Sequence, residues 1–164
     1  MEQTVESALP TGSKRPQGAF FDYIDIDAIN NLCQEIISAK HICMNEAPSR
    51  ASREICEGDT LFSLVRPFLK NIAFVSDNYA HCIASTGFYI CRPTIGINSR
   101  FLYRLMTTDY TVKGINAHIK GDNSPSVRKE DIDNFIITLP PLAGQKRIVS
   151  QVEKLFSVLE TMRV

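Results

Sequence analysis

The clearest hydrophobic pattern of the chain lies in its last stretch, "LPPLAGQKRIVSQVEKLFSVLETMRV". After two prolines, apolar residues recur at alternating intervals of four and three, which is the spacing of a coiled-coil seam. The seam residues are Ile148, Val152, Leu155, Leu159 and Met162. A helix of about 20 residues is a rod of roughly 30 Å, and alone in water it is marginally stable. The pattern therefore predicts a long helix whose apolar stripe needs a partner, with packing back onto its own sheet as the alternative.

Upstream of this helix, the pattern predicts strands connected by short helices. The predicted strands are "FFDYIDIDAI", "KHICM", "TLFSLVRP", "NIAFVS", "HCIASTGFYICRP" and "DNFIITLPP". Short helices are predicted around Leu32 to Ile37, for one turn after Ser49, from an Asn98 or Ser99 cap through Met106, and for one turn opened by Ser126. The stretch "GINAHIKGDNSPSV" is predicted to be a loop. The expected fold class is α+β, a mixed or antiparallel sheet with short helices followed by one long coiled-coil helix.

The size of the chain fits one domain with an appended helix. Its 164 residues are 44% hydrophobic, enough for one core. We divide it into a flexible leading segment (residues 1–19), a globular domain (20–140) and the coiled-coil helix (141–164). The apolar runs fall short of the roughly 20 residues of a membrane span, and the first twenty residues lack the pattern of a secretory signal. A cytoplasmic protein is therefore expected.

The formal net charge is zero, but the charges are unevenly distributed. Residues 1–60 carry ten acidic and five basic side chains, whereas residues 61–128 carry three acidic and eight basic ones. A positive region inside a neutral protein is typical of a surface that meets a polyanion. Chance unevenness of solvated charges is the alternative explanation.

No catalytic or metal-binding motif is present. The five cysteines are odd in number and never at a C-x-x-C spacing, which argues against a disulfide framework and against zinc. The pair His81 and Cys82 is too close in sequence to suggest a metal site by itself. Asp25 and Asp27 lack a second cluster to work with, and the three histidines are far apart in sequence. We therefore expect no catalytic residue, no metal and no cofactor.

An ordered set of motifs carries a resemblance to a known family. The motifs are "FFDYIDID", "APSRA", "GDTLFSLVRPFLKNIAFV", "IASTGFYICRP", "NSRFLYRLM", "SPSVRKEDI" and "LPPLAGQKRIVSQVEKLF". Together they resemble the specificity subunit of Type I restriction-modification systems, over about Phe20 to Leu159. The combination of "STGFYICRP" with "LPPLAGQKRIV" is the most specific part of this resemblance.

The resemblance implies a role in DNA recognition without catalysis. Such subunits usually carry two target recognition domains, each followed by a long helix, and the two helices pair antiparallel as a spacer. Each domain then reads one half of a bipartite double-stranded DNA site. The subunit positions modification subunits, which methylate adenine with S-adenosylmethionine, and restriction subunits, which translocate and cut DNA with ATP. By this resemblance, residues 20–140 are the target recognition domain and residues 141–164 are the spacer or dimerisation helix.

Two departures from the family pattern bear on this expectation. The chain has a single recognition domain and a single helix, so we expect either a natural half-subunit, which would pair with a second copy of itself, or a piece of a longer protein that pairs with a second recognition domain. Family members also commonly have glutamate where Gly144 stands. Glycine costs about 1 kcal/mol in a helix interior but little in a first turn, so only a slightly frayed helix start is expected.

Nine residues are candidates for contacts with DNA, because Lys and Arg meet phosphates and a few side chains read base edges. They are Lys14, Arg15, Arg66, Lys70, Arg100, Arg104, Lys113, Asn116 and Lys120. Arg66, like Arg92, precedes a proline and is equally well explained as a structural cap or an ion-pair partner. Asn116 suits a bidentate bond to adenine, but loop asparagines more often serve turns. The alternative function is a protein-interaction role, in which the helix acts in assembly and the domain has no DNA target.

Overall fold

The computed structural model describes residues 18–121 and 123–162, without the side chain of Glu160. Nine strands lie in this part of the chain: β1 Phe20–Ile24, β2 Ile29–Asn30, β3 Glu35–Ile36, β4 Lys40–Cys43, β5 Ala51–Glu54, β6 Thr60–Ser63, β7 Ile72–Phe74, β8 Ile83–Ser85 and β9 Phe88–Cys91. The helices are α1 Ser99–Met106, α2 Asp109–Asn116, α3 Lys129–Asp133 and α4 Leu142–Thr161. The predicted α+β class with a long final helix is confirmed.

The strands form three sheets that are stacked in layers with the helices. One sheet has the order β4-β1-β8-β5, in which β1 and β8 are parallel; a second has the order β7-β6-β9, and β2 pairs with β3. Along β6, Leu61 packs into a core with Ile24 of β1, whereas Phe62 packs into a core with Leu102 of α1. The β7-β6-β9 sheet is therefore covered on both faces, which explains why every residue of β6 and β9 is buried.

The run "HCIASTGFYICRP" was predicted to be one strand, but it divides between two sheets. Strand β8 pairs in the four-stranded sheet and β9 in the three-stranded sheet, and only Thr86 and Gly87 separate them. A Cβ atom on Gly87 would lie 2.9 Å from Ile26 Cδ1 and 3.0 Å from Arg50 Nη2. The close approach of these side chains explains the glycine at the crossing.

The two central helices have side-chain caps. Asn98 accepts a 2.9 Å hydrogen bond from the Phe101 N–H, which confirms the predicted cap of α1. Thr108 caps α2 through a 3.3 Å bond from the Thr111 N–H. The loop prediction for "GINAHIKGDNSPSV" was wrong in its first part, because Gly114 lies inside α2. This glycine makes room for Phe135, whose ring a Cβ atom would approach to 2.4 Å.

Four further local predictions were wrong. No α-helix forms around Leu32 to Ile37, where the chain turns through Gln34 at φ 60° into β3. The residues after Ser49 form β5, because they pair with β8. Ser126 bonds with Lys120 instead of capping, so α3 begins at Lys129. The stretch "DNFIITLPP" forms no strand beyond the end of α3.

The final helix, Leu142–Thr161, lies within the predicted range 141–164, whose last two residues are outside the described part, and it packs against α1, with Arg104 reaching Phe156. Gly144 lies in its first turn, as expected, and the helix is continuous there. Among the described residues, none of the helices has the length and hydropathy needed to cross a membrane.

Candidate nucleic-acid interface

One carboxylate organises two of the predicted lysines. Asp109, in the first turn of α2, lies 2.7 Å from Lys70 Nζ and 3.3 Å from Lys113 Nζ. Hydrogen bonds from Lys70 and then Lys113 hold the pKa of Asp109 below its ordinary value. The carboxylate therefore stays ionised. The two ammonium groups and the carboxylate together carry a net charge of +1, and the carboxylate orients both lysines.

Backbone hydrogen bonds bring two more predicted cations to the same region. The Arg66 N–H donates to Pro125 O at 2.8 Å. Lys120 and Ser126 exchange two backbone hydrogen bonds, of 2.9 and 3.0 Å. The side chains of Arg66 and Lys120 are exposed, and neither forms an ion pair with any described residue. A polyanion would therefore meet these charges unpaired.

We call Arg66, Lys70, Lys113 and Lys120 the basic surface. Asn116 ends α2, one helical turn after Lys113 and four residues before Lys120. Its side-chain Oδ1 is shielded from solvent and accepts no hydrogen bond from the described residues. The Asn116 carbonyl oxygen accepts a 3.1 Å hydrogen bond from the Ile119 N–H, so its backbone takes part in the turn after α2, whereas its Oδ1 does not. The structure also places Lys113 and Asn116 on a helix, where the loop prediction was wrong.

The other predicted arginines lie elsewhere. Arg100 stacks over the Phe74 ring at 3.8 Å, and Arg104 lies 4.6 Å from the Phe156 ring of α4. These contacts engage both guanidinium groups in packing, although Arg100 is exposed. Lys14 and Arg15 lie outside the described residues.

Arg92 is an ion-pair partner within the domain. Its Nη2 lies 2.7 Å from Oδ2 of the buried Asp59, and its Nη2 also donates to Glu54 O at 3.3 Å. The hydrogen bonds to Asp59 raise the pKa of Arg92 above its ordinary value. This guanidinium is therefore engaged by a buried carboxylate, although the Arg92 side chain is itself 42% exposed.

A buried glutamine anchors α4 to the domain. Gln145 Oε1 accepts a 2.8 Å hydrogen bond from the Asn98 N–H. Its Nε2 donates to Gly96 O at 2.9 Å and to Pro140 O at 2.8 Å. All three hydrogen bonds are made within the protein. They fix the first turn of the helix against the segment that leads into α1.

Most of the predicted seam is open to solvent. The exposed members are Ile148 (42%), Leu155 (65%), Leu159 (57%) and Met162 (75%), whereas Val152 is half-buried. Val149, which is 8% exposed, faces the domain instead. The domain therefore leaves most of the apolar stripe of the helix uncovered.

The structure also joins residues that the sequence analysis treated separately. Asp22 on β1 lies 2.8 Å from His41 Nδ1 and 2.9 Å from His81 Nε2, and Cys82 Sγ lies 3.8 Å from the same His81 nitrogen. Hydrogen bonds from His41 and His81 hold the pKa of Asp22 below its ordinary value. Burial, together with the charge of Asp22, raises the pKa of the Cys82 thiol to about 11.

Residues 7–163 match the family model described as Type I restriction modification DNA specificity domain. The chain belongs to this family. It is 24% identical over 139 residues to the specificity subunit of the Type I restriction enzyme HindI from Haemophilus influenzae, a match that covers 82% of this chain and 29% of that subunit.

Two solved structures resemble this member of the specificity-domain family throughout the matched region. The HsdS subunit from Thermoanaerobacter tengcongensis is 37% identical, with a TM-score of 0.81, over 88% of this chain and 38% of that chain. A structure described for complex assembly and conformational transition of the type I R-M system is 38% identical, with the same TM-score and the same coverage. The chain thus spans about a third of the length of these relatives.

Three structural features in and around the candidate interface were not predicted from the sequence. Asp109 follows two threonines, and the sequence Thr108 to Asp109 is a helix-start signal that was overlooked. Gln145 lies in the motif "LPPLAGQ", but nothing in the local pattern indicates that it is buried. Asp22 meets its partners only through strand pairing, which no local pattern reveals.

Proposed function

We propose that this chain is a non-catalytic recognition module that binds double-stranded DNA, reading one half of a bipartite target of a Type I restriction-modification system. The observation that carries the proposal is the basic surface, in which exposed cations from three separate segments lie together around α2. Membership of the DNA specificity family supports it.

Phosphate contacts supply the affinity in this proposal. Arg66 and Lys120 have exposed side chains without ion-pair partners among the described residues, so binding to phosphate breaks no internal salt bridge. Lys70 and Lys113 are held by Asp109, which reduces the side-chain entropy that binding would cost. The four cations release condensed counterions when they meet the duplex, which makes the affinity dependent on salt.

In this proposal, Asn116 forms the hydrogen bonds to a base edge. Its Oδ1 is shielded from solvent in the free chain and has no hydrogen-bond partner among the described residues, so in this proposal the side chain rotates outward to the base without breaking a hydrogen bond of that oxygen. An asparagine amide matches the donor and acceptor edge that adenine presents in the major groove. Asn116→Ala should therefore reduce the preference for the cognate site, with little change in the salt dependence.

The test measures duplex affinity over a range of salt concentrations for the double variant Arg66→Ala, Lys120→Ala. The plot of log K against log salt has a negative slope, and removing two phosphate contacts should reduce the magnitude of that slope by about 1.8. Lys40→Ala is the matched control, because Lys40 lies on the edge strand β4 of the other sheet. An unchanged slope in the double variant, or an equal change in the control, would contradict the proposal that the basic surface contacts DNA.

We further propose that α4 pairs with an equivalent helix, from a second copy of the chain or from a second recognition domain. The exposed seam favours this role. In the assembly, the module would position modification subunits, which carry the adenine methyltransferase activity, and restriction subunits, which carry the ATP-dependent endonuclease activity.

The exposed seam equally suits the alternative function, in which the chain acts only in assembly and has no DNA target. Duplex binding separates the two functions. Sequence-dependent affinity supports the recognition module, whereas helix-mediated association without any affinity for DNA supports the assembly role.

A further inference from the structure

We propose that Asp22, His81 and Cys82 form a binding site for a zinc-type divalent metal ion, with His41 orienting the carboxylate. The proposal is independent of DNA recognition and revises the expectation that the chain has no metal site. That expectation considered His81 and Cys82 alone, whereas the fold adds a carboxylate and a second imidazole from distant strands.

The strand register creates this cluster. In the sheet order β4-β1-β8-β5, β1 lies between β4 and β8. Asp22 is directly opposite His41 on the antiparallel β4, so their side chains share a face. On the other side of β1, Tyr23 is paired with Ile83 at the start of the parallel β8. His81 and Cys82, which come just before β8, therefore lie beside Asp22.

The donor atoms converge on one point. His81 Nε2 lies 2.9 Å from Asp22 Oδ2 and 3.8 Å from Cys82 Sγ, and the three donor atoms all lie within 4.8 Å of one another. In a tetrahedral zinc site, ligand atoms are separated by about 3.3–3.7 Å, as follows from bonds of about 2.0–2.3 Å. The oxygen and nitrogen would therefore separate by about 0.4 Å more, the sulfur–nitrogen distance is already close to that range, and the largest separation, at most 4.8 Å, would shorten by up to about 1 Å.

The chemistry of the donors selects the class of metal. Sulfur and imidazole nitrogen favour zinc or cobalt over magnesium or calcium, which prefer oxygen ligands. Three protein ligands leave a fourth position for water or another donor. The side chain of His81 is 62% exposed and that of Asp22 is 32% exposed, so an ion has access from solvent.

His41 has the arrangement of an outer-shell partner. Its Nδ1 lies 2.8 Å from Asp22 Oδ1, the carboxylate oxygen that does not face His81. The Phe20 ring stacks on the His41 ring, with centroids 5.1 Å apart and planes inclined by 4°. The stacked imidazole therefore holds the carboxylate while its other oxygen binds the metal, as outer-shell partners do in known sites.

In the experiment, the full, untagged chain is titrated with Co²⁺ and with Zn²⁺. Calorimetry measures the affinity and the number of ions bound, and the optical spectrum reports the ligands of Co²⁺. Cys33→Ser and Cys56→Ser are introduced in every sample, because these exposed thiols would bind metal adventitiously. We expect one ion per chain and a sulfur-to-cobalt charge-transfer band. His81→Gln should abolish both, and Cys82→Ser should remove the band.

Two further variants separate the roles of the histidines. His41→Gln should weaken binding by about ten- to a hundredfold while the band remains, as expected for an outer-shell partner. His118→Gln is the matched control and should leave the affinity unchanged, because His118 lies near Asp131 instead. Circular dichroism verifies that each variant is folded; His81 is exposed, so its replacement does not disturb the core.

The added ion should raise the midpoint of thermal unfolding of the parent chain but not that of His81→Gln, since it links β1 to the start of β8. The proposal is overturned if no ion binds, if binding persists in His81→Gln, or if the cobalt spectrum of the parent chain lacks the sulfur band.

Discussion

Gln145 accepts a hydrogen bond of 2.8 Å from the backbone N–H of Asn98, the residue that caps α1 with its own side chain. Because Gln145 is fully buried and also donates to Gly96 O and Pro140 O, one amide joins the first turn of α4 to two other segments. The junction between the domain and its long helix is therefore polar, buried and internally satisfied.

Gln145→Ala should lower the free energy of unfolding by about 3 kcal/mol, since it removes three hydrogen bonds to partly buried backbone groups and leaves a cavity at a fully buried position. Gln151→Ala is the matched control: it lies on the same helix, but its side chain is exposed. Urea unfolding of both variants measures the difference. Equal stabilities for the two variants would mean that the Gln145 hydrogen bonds contribute nothing.

Two helical glycines should respond oppositely to the same substitution. Gly114→Ala places a Cβ atom 2.4 Å from the Phe135 ring and should destabilise the fold by about 1–3 kcal/mol. Gly144→Ala meets only Pro140 Cβ, at 3.4 Å, and should be neutral or stabilising by up to about 1 kcal/mol. Thermal or urea unfolding of the pair tests this, and a stable Gly114→Ala variant would contradict the close packing.

The ion pairs of Asp109 predict a specific pH dependence. Because Lys70 and Lys113 lower its pKa in the folded chain, the carboxylate stabilises the fold above its unfolded pKa of about 3.9. This contribution is lost as the pH falls through the lowered folded pKa. The stability difference between the parent chain and Asp109→Asn should therefore be constant at neutral pH and disappear in strong acid. A difference that is independent of pH would contradict the assignment.

The exposed seam of α4 predicts self-association. The double variant Leu155→Glu, Leu159→Glu should convert a dimer of the chain into a monomer, because it places charges on residues that are more than half exposed in the single chain. Light scattering at several concentrations measures the mass. The control is Lys154→Glu, Ser157→Glu, which adds charge to exposed polar positions of the same helix.

If the parent chain dimerises and only the seam variant dissociates, the partner of α4 is a second copy, and a two-fold dimer would read an inverted repeat. A parent chain that is monomeric at every concentration contradicts self-pairing. The helix would then require the second recognition domain as its partner.

Elements with strong local signals were predictable from the sequence. The heptad pattern of α4 and the Asn98 cap of α1 each depend on residues within one or two turns of each other. The α2 helix was not predicted because Gly114 suggests a loop, although Val112 and Ile115 are buried at helical spacing. The absence of a side chain at Gly114 leaves room for the ring of Phe135, which lies further along the chain.

Features that depend on distant partners were not predictable. The segment of β5 has no strong strand pattern and becomes extended because it pairs with β8. The stretch around Ile136, which is 82% exposed, has the alternation of a strand but no neighbouring strand in the described structure. The approach of Asp22 to His81 likewise arises from parallel pairing across more than fifty residues of sequence.

The anchoring of α4 at its base has a mechanical consequence. A tilt of about 10° at one end of a rod of roughly 30 Å displaces the other end by about 5 Å. The rise of one DNA base pair is about 3.4 Å. The hydrogen bonds of Gln145 therefore limit the direction of the helix, because a tilt of about 7° at its base would shift its far end by about the rise of one base pair.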